Sequence, residues 1–377
     1  MQENKKIKIT YILSDIDRAV AFEWITELLD RNRFDLSFIL LNSSNSFIEE
    51  YLINKNVPIK RIRFNGMKDA MLAIIRIFFF LQKNQINIVH CHLFPAAFCG
   101  LMASKLAGIK RRIYTRHYSV YHHKYVPRFV KFDTFLNKLA TDIIAISNVV
   151  KNTLINLEKV KRNKIHLVYH GFKLELFEHA NIPSSRIFDL KLKYNPLHKS
   201  PVVGVSARFM HLKGIQYIIP AFKKLLASNP NALLILANAN GNYKNEIREL
   251  LKEIPTESYL EIKFENDLFA LFHLFDVFLH VPIDAESEAF GQIYVEALAA
   301  GIPSVFTLSG IATEFIVHQK NALVVPYRDS EAIYEAAKKI VSEPGLYNSM
   351  IEQGKKDVKE LFSINRMMEQ LTKIYET

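Results

Sequence analysis

Residues 276–307 read DVFLHVPIDAESEAFGQIYVEALAAGIPSVFT, a short β-rich run followed by a helical run of small residues and a second β-rich run. This order is typical of the βαβ unit of a parallel sheet. Gly291 permits a tight turn into the helix, and Ala297, Ala300 and Gly301 are small enough to pack closely on a sheet. The stretch predicts an α/β fold whose loop lies at the carboxyl end of a strand, where open parallel sheets bind ligands.

The same alternation of strand and helix continues outward along the chain. Before residue 180 the β-rich runs are KIKITYIL, FDLSFILL, INIVHC, RRIYT, DIIAIS and KIHLVYH, and after residue 200 they are VVGVSA, ALLILAN, YLEIKF, DVFLHV, PSVFT and NALVVP. Helical runs lie between them, near Arg18, over Lys68–Lys83 and Pro95–Leu106, and near Val126 and Val149. Because 377 residues exceed one ordinary core, we expect two doubly wound domains that face each other across a central cleft.

Residues 179–201, HANIPSSRIFDLKLKYNPLHKSP, break the alternation with two turn-forming patches. We therefore expect a first domain over residues 1–185, a linker over 186–200 and a second domain over 201–357. Residues 358–377 should form a C-terminal helix that could cross back to the first domain.

Composition places the chain among globular proteins. The hydrophobic fraction is 49%, which excludes disorder as the main interpretation. Two cysteines, Cys91 and Cys99, cannot build a disulfide framework, so we expect a reducing compartment. The start, MQENKKIKITYIL, lacks the pattern of a signal peptide, and the longest apolar run, residues 70–81, is too short to span a bilayer. These features predict a cytoplasmic protein.

Charge is distributed unevenly along the chain. The formal net charge is +11, but residues 1–200 carry 32 Lys and Arg against 16 Asp and Glu, whereas the remainder carries 17 against 22. A basic first half suits an anionic partner, such as an anionic lipid leaflet, a phosphorylated acceptor or nucleic acid. A basic face that only keeps the protein soluble is the alternative.

Charged residues follow two strands of the second half. Glu288 precedes Phe290-Gly291, and Glu296 lies within the following helix, where a carboxylate could accept from the two hydroxyls of a ribose. Arg208 follows VVGVSA, and Lys213 lies at the start of the next helix. A guanidinium, an ammonium and a helix N-terminus can together hold a diphosphate without a metal ion. Solvated surface charges are the alternative for both sets.

The segment from Glu288 to Glu296, two glutamates separated by seven residues with FG between them and EALAAGIP after, resembles the signature of glycosyltransferase family 4, retaining enzymes of GT-B fold. Arg208 with Lys213-Gly214 resembles the family's diphosphate clamp. Residues 309–333 resemble the segment that follows the signature, and INIVHCHLFPAA, TRHYSV, AISNVV and LVYHGFKLELF are similar to motifs of its first domain. The resemblance covers nearly the whole chain.

This resemblance implies that Glu296 binds the donor ribose and that Arg208 and Lys213 bind the diphosphate. It also implies that Glu288, with the backbone at Phe290 and Gly291, contacts the donor sugar, and that His117 of TRHYSV lies close to the reacting sugar. We therefore predict a retaining transferase that moves a sugar from a UDP- or GDP-linked donor to a glycan or polyprenyl-diphosphate-linked acceptor. It should need no metal or other cofactor and should serve cell-surface polysaccharide or lipopolysaccharide synthesis.

Two patterns depart from the family or suggest other chemistry. Many members carry a glycine pair after the first strand, where this chain has LSDIDRAVAFEW, residues 13–24. Asp15 and Asp17 form a DxD, a metal-binding motif of another glycosyltransferase class, but Ser14 or Asp15 more simply caps the following helix. The histidines of residues 90–92 lie on one side of a strand without a third zinc ligand, which favours a cleft-lining or core role.

The first half should receive the acceptor. Its basic aromatic stretch, residues 110–132, could rest on an anionic membrane surface or hold an acceptor phosphate. We name Arg116, His92 and Lys124 as acceptor-binding candidates. The helical run Lys68–Lys83 is a second candidate for membrane contact, although an ordinary core helix explains it better.

Other function classes stay open. One is a nucleotide-sugar-binding scaffold of the same fold without turnover, which the missing glycine pair supports and the complete set of charged residues opposes. Another is a nucleic-acid-binding protein that uses the basic half, but no recognition motif appears, so we expect no nucleic-acid partner. A nucleotide-sugar epimerase of related fold is a third, which the spacing of Arg208 and Lys213 disfavours.

Overall fold

The computed structural model describes residues 6–377, which fold into two compact units. The first unit comprises the described residues up to Phe172 together with Ile364–Thr377, and the second comprises Lys173–Ser363. Each unit is built on one wholly parallel sheet whose strands alternate with helices along the chain. The predicted α/β class with two Rossmann-like domains is therefore confirmed.

The first sheet has seven strands, β1 (Ile7–Ser14), β2 (Phe34–Asn42), β3 (Ile59–Arg63), β4 (Ile88–His92), β5 (Arg111–Arg116), β6 (Asp142–Ala145) and β7 (Ile165–Leu167). Their order is β3-β2-β1-β4-β5-β6-β7. All of β4 and most of β1 and β2 are buried, which explains why they read as continuous apolar runs rather than alternating ones. The edge strand β3, IKRIR, buries little of its length, and it was not predicted from the sequence.

Seven helices connect these strands, α1 (Val20–Leu28), α2 (Phe47–Asn54), α3 (Ala70–Asn84), α4 (Phe94–Leu106), α5 (Tyr121–Tyr125), α6 (Val130–Leu139) and α7 (Asn148–Asn152). Helix α3 buries Ala70, Ala73, Ile74, Ile77 and Leu81, a set with helical spacing that forms one face. Helix α4 packs against both α3 and α6. The three helices therefore lie on the same face of the first sheet.

The second sheet contains β8 (Val202–Ser206), β9 (Leu233–Ala237), β10 (Tyr259–Ile262), β11 (Val277–His280), β12 (Ser304–Phe306) and β13 (Leu323–Val324), in the order β10-β9-β8-β11-β12-β13. Its helices are α8 (Ser184–Tyr194), α9 (Ile215–Ser228), α10 (Lys244–Leu251), α11 (Leu268–Phe272), α12 (Gln292–Ala299), α13 (Ala312–Phe315), α14 (Ser330–Ser342) and α15 (Asn348–Phe362). Strands β8 and β11 are neighbours at the centre of the sheet. The loops that follow them therefore leave the same edge side by side.

The boundaries between the units differ from those predicted. The chain enters the second unit after Phe172 rather than after residue 185. Most of the expected linker, residues 186–200, lies in α8, which buries Ile187 and Leu190. The turn-forming residues at its two ends bound a helix rather than a flexible connection, because the helix has an apolar face to pack.

The C-terminal segment is divided between the units. The helix expected over residues 358–377 begins within α15 of the second unit, and a new helix, α16 (Ile364–Glu376), belongs to the first. The Tyr375 hydroxyl lies 2.8 Å from His90 Nδ1 and is also bonded to the Tyr11 hydroxyl. These buried contacts attach α16 to the first sheet, and Met367 and Leu371 of the same helix are also buried.

Among the described residues, no helix is long and apolar enough to cross a bilayer. Cys91 and Cys99 are both buried and both free.

Candidate active site

The candidate site lies in the second unit, at the carboxyl ends of β8 and β11. Arg208 is exposed in the loop after β8, and Lys213 ends a short 3-10 turn, His211–Lys213, in the same loop. Gly214 follows with a φ of 75°, and a Cβ at this position would lie 1.8 Å from the carbonyl oxygen of Val281. Glycine therefore allows the loop after β8 to approach the end of β11 this closely.

Glu288 lies in the loop between β11 and α12, and its side chain is 10% exposed. Its Oε1 accepts from Lys213 Nζ at 2.5 Å and from His280 Nε2 at 3.1 Å. Burial raises the pKa of this carboxyl, but the charge of Lys213 and the hydrogen bond from His280 outweigh burial and hold the pKa at about 2. Glu288 is therefore ionised at neutral pH.

Three residues that the sequence reasoning missed complete the surroundings of Glu288. His280, the last residue of β11, is buried, and the Ser309 hydroxyl accepts from the Glu288 backbone N–H at 3.0 Å. Gly310 has a φ of 57°, and a Cβ there would lie 2.6 Å from the Phe290 carbonyl oxygen and 2.8 Å from Glu288 Cβ. The loop at Ser309 and Gly310 therefore packs directly against Glu288.

The Phe290-Gly291 turn leads from Glu288 into α12. The Phe290 ring is buried and meets Phe362 edge-on, with the centroids 5.8 Å apart. Its carbonyl oxygen accepts from the Ile311 N–H at 2.8 Å. Gly291 has a φ of 86°, the left-handed region that glycine favours. The Phe290 side chain therefore anchors the turn, and a ligand contact at this point would come from the backbone.

Glu296 lies within α12 and is half-buried. Within residues 6–377, neither its carboxylate nor the Arg208 guanidinium has a hydrogen-bond or ion-pair partner. Burial raises the pKa of Glu296 to about 7. Four charged side chains of the second unit were predicted to bind a donor. The structure pairs Lys213 with Glu288 and, within the described part of the chain, leaves Arg208 and Glu296 without a protein partner.

In the first unit, two predicted residues meet beyond the ends of β4 and β5. His92 Nδ1 and His117 Nε2 lie 3.0 Å apart, and His117 stacks on His170 with the ring centroids 5.5 Å apart. Burial lowers the pKa of His117 to about 3, and burial with the neighbouring histidines lowers the pKa of His92 well below its ordinary value. Both imidazoles are therefore neutral at pH 7, and the hydrogen bond between them requires one of the two nitrogens to carry a proton and the other to accept it.

Comparison with known proteins identifies the family. The model described as "Glycosyl transferases group 1" matches residues 188–357, and the model "Glycosyltransferase Family 4" matches residues 20–176. The chain belongs to glycosyltransferase family 4. This glycosyltransferase is 26% identical over 362 residues to the capsular polysaccharide biosynthesis glycosyltransferase CapM of Staphylococcus aureus. The aligned region covers 93% of this chain and 92% of CapM.

Other relatives extend over nearly the whole glycosyltransferase. The UDP-Gal:alpha-D-GlcNAc-diphosphoundecaprenol alpha-1,3-galactosyltransferase of Escherichia coli is 22% identical, over 99% of this chain and 97% of its own length. Anabaena HepE in complex with UDP and glucose superposes with a TM-score of 0.83 at 16% identity, over 98% of this chain and all of HepE. A Rickettsia africae glycosyltransferase superposes with a TM-score of 0.81 at 20% identity, over 98% of both chains. The predicted GT-B fold is confirmed.

Arg116 of this glycosyltransferase does not fit its predicted role in acceptor binding. The side chain is fully buried, and its Nη2 lies 2.6 Å from Glu158 Oε1 and 3.1 Å from Asp133 Oδ2. This buried guanidinium connects the end of β5 to Asp133 of α6 and to Glu158, and it is not accessible to an acceptor. Lys124, by contrast, is exposed on α5.

The remaining polar motifs of the first unit have structural roles. Neither Ser14 nor Asp15 caps α1, whose N-cap is Ala19; instead, Asp17 Oδ1 accepts from the backbone N–H of Phe47 at 3.2 Å, at the start of α2. Asp15 has a φ of 52°, a conformation usual for glycine and tolerated by aspartate. His90 bonds to Thr115 Oγ1 and to the Tyr375 hydroxyl. No group of three or more His, Cys, Asp or Glu among residues 6–377 could hold a metal ion.

Proposed function

We propose that this glycosyltransferase transfers a sugar from a UDP- or GDP-linked donor to a hydroxyl of a glycan or lipid-linked acceptor, with retention of the anomeric configuration. The process proposed for it is polysaccharide biosynthesis. The observation that carries the proposal is the Lys213–Glu288–His280 cluster, in a unit where two further charged side chains, Arg208 and Glu296, have no protein partner among residues 6–377. The names of two relatives support it, since one states a role in capsular polysaccharide biosynthesis and the other a UDP-galactose donor with a diphosphoundecaprenol-linked acceptor.

Arg208 and Lys213 are proposed to bind the donor diphosphate. Breaking the bond between the anomeric carbon and the diphosphate leaves negative charge on the diphosphate oxygens, which two cations on one loop would stabilise. Arg208 has no carboxylate partner among residues 6–377, so its charge is available to the ligand. Lys213 already neutralises Glu288 and would share its three N–H donors between that carboxylate and the diphosphate. The Glu296 carboxylate is proposed to accept from the ribose hydroxyls.

Glu288 is proposed to orient the donor sugar and to stabilise the positive charge that develops at the anomeric carbon. Its low pKa keeps it ionised for this role, and Lys213 with His280 fixes its position. The neutral His117 imidazole is proposed to contact the sugar as a hydrogen-bonding group. The acceptor oxygen bonds to the anomeric carbon as the diphosphate leaves and takes the acceptor proton. A product whose new linkage shows the opposite anomeric configuration by NMR would contradict retention.

The donor site is tested by a thermal-shift screen against UDP, GDP and their common sugar conjugates. A bound donor should raise the melting temperature of the wild-type chain, because only the folded chain binds it. Arg208→Ala and Glu296→Ala should each abolish that rise. The matched control is Arg248→Ala, which removes an arginine that pairs with Glu261 on the surface of the same unit and should keep the rise. If no nucleotide shifts the wild-type melting temperature, the proposed donor site is wrong.

Metal independence is tested by chelation. We expect transfer at an unchanged rate after EDTA treatment, because two cationic side chains take the charge-neutralising role that a divalent ion has in other transferases. Rates are measured before and after EDTA and again after addition of Mg²⁺ or Mn²⁺. A rate that EDTA abolishes and a divalent ion restores would show that the cations of the protein are insufficient.

A further inference from the structure

Helix α3 is apolar on both sides. Its inner face is buried against the rest of the first unit, as described above, yet Met71 is 71% exposed, Leu72 50%, Ile75 45% and Phe79 64%. At 100° per residue, Met71, Ile75 and Phe79 lie along one line of the outer surface, over a length of about 12 Å. Isolated exposed apolar residues are ordinary, but a continuous stripe of them on a surface helix marks a site of interaction.

Helix α6 continues this surface. Its exposed residues are Lys131, Phe132, Phe135 and Lys138, and its one acid, Asp133, is buried beside Arg116. Helix α4 packs against both α3 and α6, and its Phe98 ring meets Phe132 and Phe135 of α6 with the centroids 6.4 Å apart in both pairs. We define the outer face as Met71, Leu72, Ile75 and Phe79 of α3 with Phe132 and Phe135 of α6.

The stretch of chain that carries the outer face is strongly basic. Residues 59–139, from β3 to α6, contain fifteen Lys and Arg but only two acids, Asp69 and Asp133, a net charge of +13 where the whole chain has +11. Lys68, Arg76 and Lys83 lie on or beside α3 and are all exposed. Within residues 6–377 none of these three cations is in an ion pair. Arg61, Arg111 and Arg116 of this stretch are paired with acids, so the cations available beside the exposed apolar stripe are Lys68, Arg76 and Lys83.

We propose that the outer face is a docking surface for an anionic phospholipid bilayer. Apolar side chains flanked by unpaired Lys and Arg are the pattern of elements that lie in the membrane interface, where the cations reach the head groups. A second copy of the chain bound through this face would bring the same cations together, which like-charge repulsion opposes. A nucleic acid would be attracted by the cations, but its phosphates would gain nothing from contact with the aliphatic stripe of α3. The proposed function supplies only the reason for docking, which is access to a lipid-linked acceptor. Docking itself needs neither donor nor acceptor.

Co-sedimentation of the full chain with vesicles tests the proposal. The chain should sediment with vesicles that contain phosphatidylglycerol and stay in solution with pure phosphatidylcholine. Lys68→Gln/Arg76→Gln/Lys83→Gln should lower the partition coefficient more than roughly tenfold, since each cation near an anionic surface contributes about 1 kcal/mol. Met71→Gln/Phe79→Ser should lower it by roughly tenfold or more, because two apolar side chains no longer enter the interface.

Matched controls come from the second unit. Lys263→Gln/Lys339→Gln/Lys356→Gln removes three exposed cations elsewhere, and Leu197→Gln/Phe264→Ser removes two apolar residues that are 70% and 71% exposed. Both should sediment like the wild type. Because none of these positions is in the proposed donor site, every variant should also keep the donor-induced thermal shift, which separates a failure of docking from a failure of the proposed function.

Four results would overturn the proposal. The wild type could fail to sediment with anionic vesicles, or the outer-face variants could sediment as the wild type does. Light scattering could instead show a dimer that Met71→Gln/Phe79→Ser dissociates, which would assign the outer face to a second copy. Retention of RNA with no vesicle binding would likewise assign the cations to another partner.

Discussion

Lys213→Met should lower kcat/KM for glycosyl transfer by roughly a hundredfold to a thousandfold, the range seen when one group that stabilises developing charge is removed. The substitution keeps the apolar length of the side chain and deletes the ammonium that lies 2.5 Å from Glu288 Oε1. Two functions are lost together, because the diphosphate loses a cation and the buried carboxylate loses its counter-charge. Steady-state kinetics with the donor identified in the nucleotide screen measures the loss.

The same variant should unfold more easily in urea, by roughly 2 to 4 kcal/mol, because removal of one partner leaves a buried charge uncompensated. Without the charge of Lys213, burial would dominate the pKa of Glu288, which should therefore rise from about 2. In the wild type the folded pKa is below the ordinary value of 4.5. Its contribution to stability is therefore present above pH 4.5 and is lost as the pH falls toward 2.

Lys223→Met is the matched control for Lys213→Met. Lys223 pairs with Glu253 at 2.8 Å, but both side chains are more than half exposed. Such a pair contributes less than about 1 kcal/mol. Stability and activity should both stay close to the wild type. Equal behaviour of the two variants would show that the Lys213–Glu288 pair has no special role.

Glu296→Gln should have two effects of opposite sign. Burial raises the folded pKa of Glu296 to about 7 from an ordinary 4.5, so the folded protein binds the proton more tightly than the unfolded chain. The ionised carboxylate therefore costs stability; the cost is absent below pH 4.5, grows up to pH 7 and is complete above it. Glutamine removes this cost, and the free energy of unfolding without ligand at pH 8 should rise by roughly 1 to 3 kcal/mol. Urea unfolding at pH 5 and pH 8 measures the difference.

Donor affinity should move the other way in Glu296→Gln. Hydrogen bonds to a charged acceptor contribute about 1.5 to 3 kcal/mol each, so the donor should bind roughly ten to a hundred times more weakly. In the wild type, affinity for a nucleotide-sugar should also fall from pH 8 to pH 6 as Glu296 takes up a proton, and the variant should lack this dependence. The sugar conjugate is the suitable probe because it has no terminal phosphate that titrates in this range.

The control for Glu296→Gln is Glu335→Gln on α14, which neutralises an exposed acid of the same unit. It should leave stability at pH 8 and donor affinity unchanged. Isothermal titration at pH 6 and pH 8 gives both affinities. An affinity of Glu296→Gln equal to that of the wild type would remove Glu296 from the donor site.

Much of the fold could be predicted because buried parallel strands read as continuous apolar runs. All twelve predicted strands are present, and the missed strand, β3, is the edge strand in which isoleucines alternate with Lys and Arg. The predicted linker failed for a related reason. Turn-forming residues were visible at both ends of α8, but the packing of Ile187 and Leu190 that makes the segment a helix depends on residues far along the chain.

The charged residues proposed for the site are visible in the sequence, since Arg208 and Lys213 follow β8 and Glu288 and Glu296 follow β11. Their pairing could not, because the ammonium and carboxylate that meet are 75 residues apart. Arg116 illustrates the opposite error. Its position in a basic stretch predicts a surface cation, but in the fold it is buried and paired with Asp133 and Glu158, which lie 17 and 42 residues later in the chain.

The measurement that tests the central claim most directly is a crystal structure of the chain with the nucleotide-sugar selected by the thermal-shift screen. We predict density for the diphosphate within ion-pair distance of Arg208 and Lys213, with both ribose hydroxyls hydrogen-bonded to Glu296. Nucleotide bound elsewhere, with Arg208 and Glu296 still unpartnered, would contradict the proposed site.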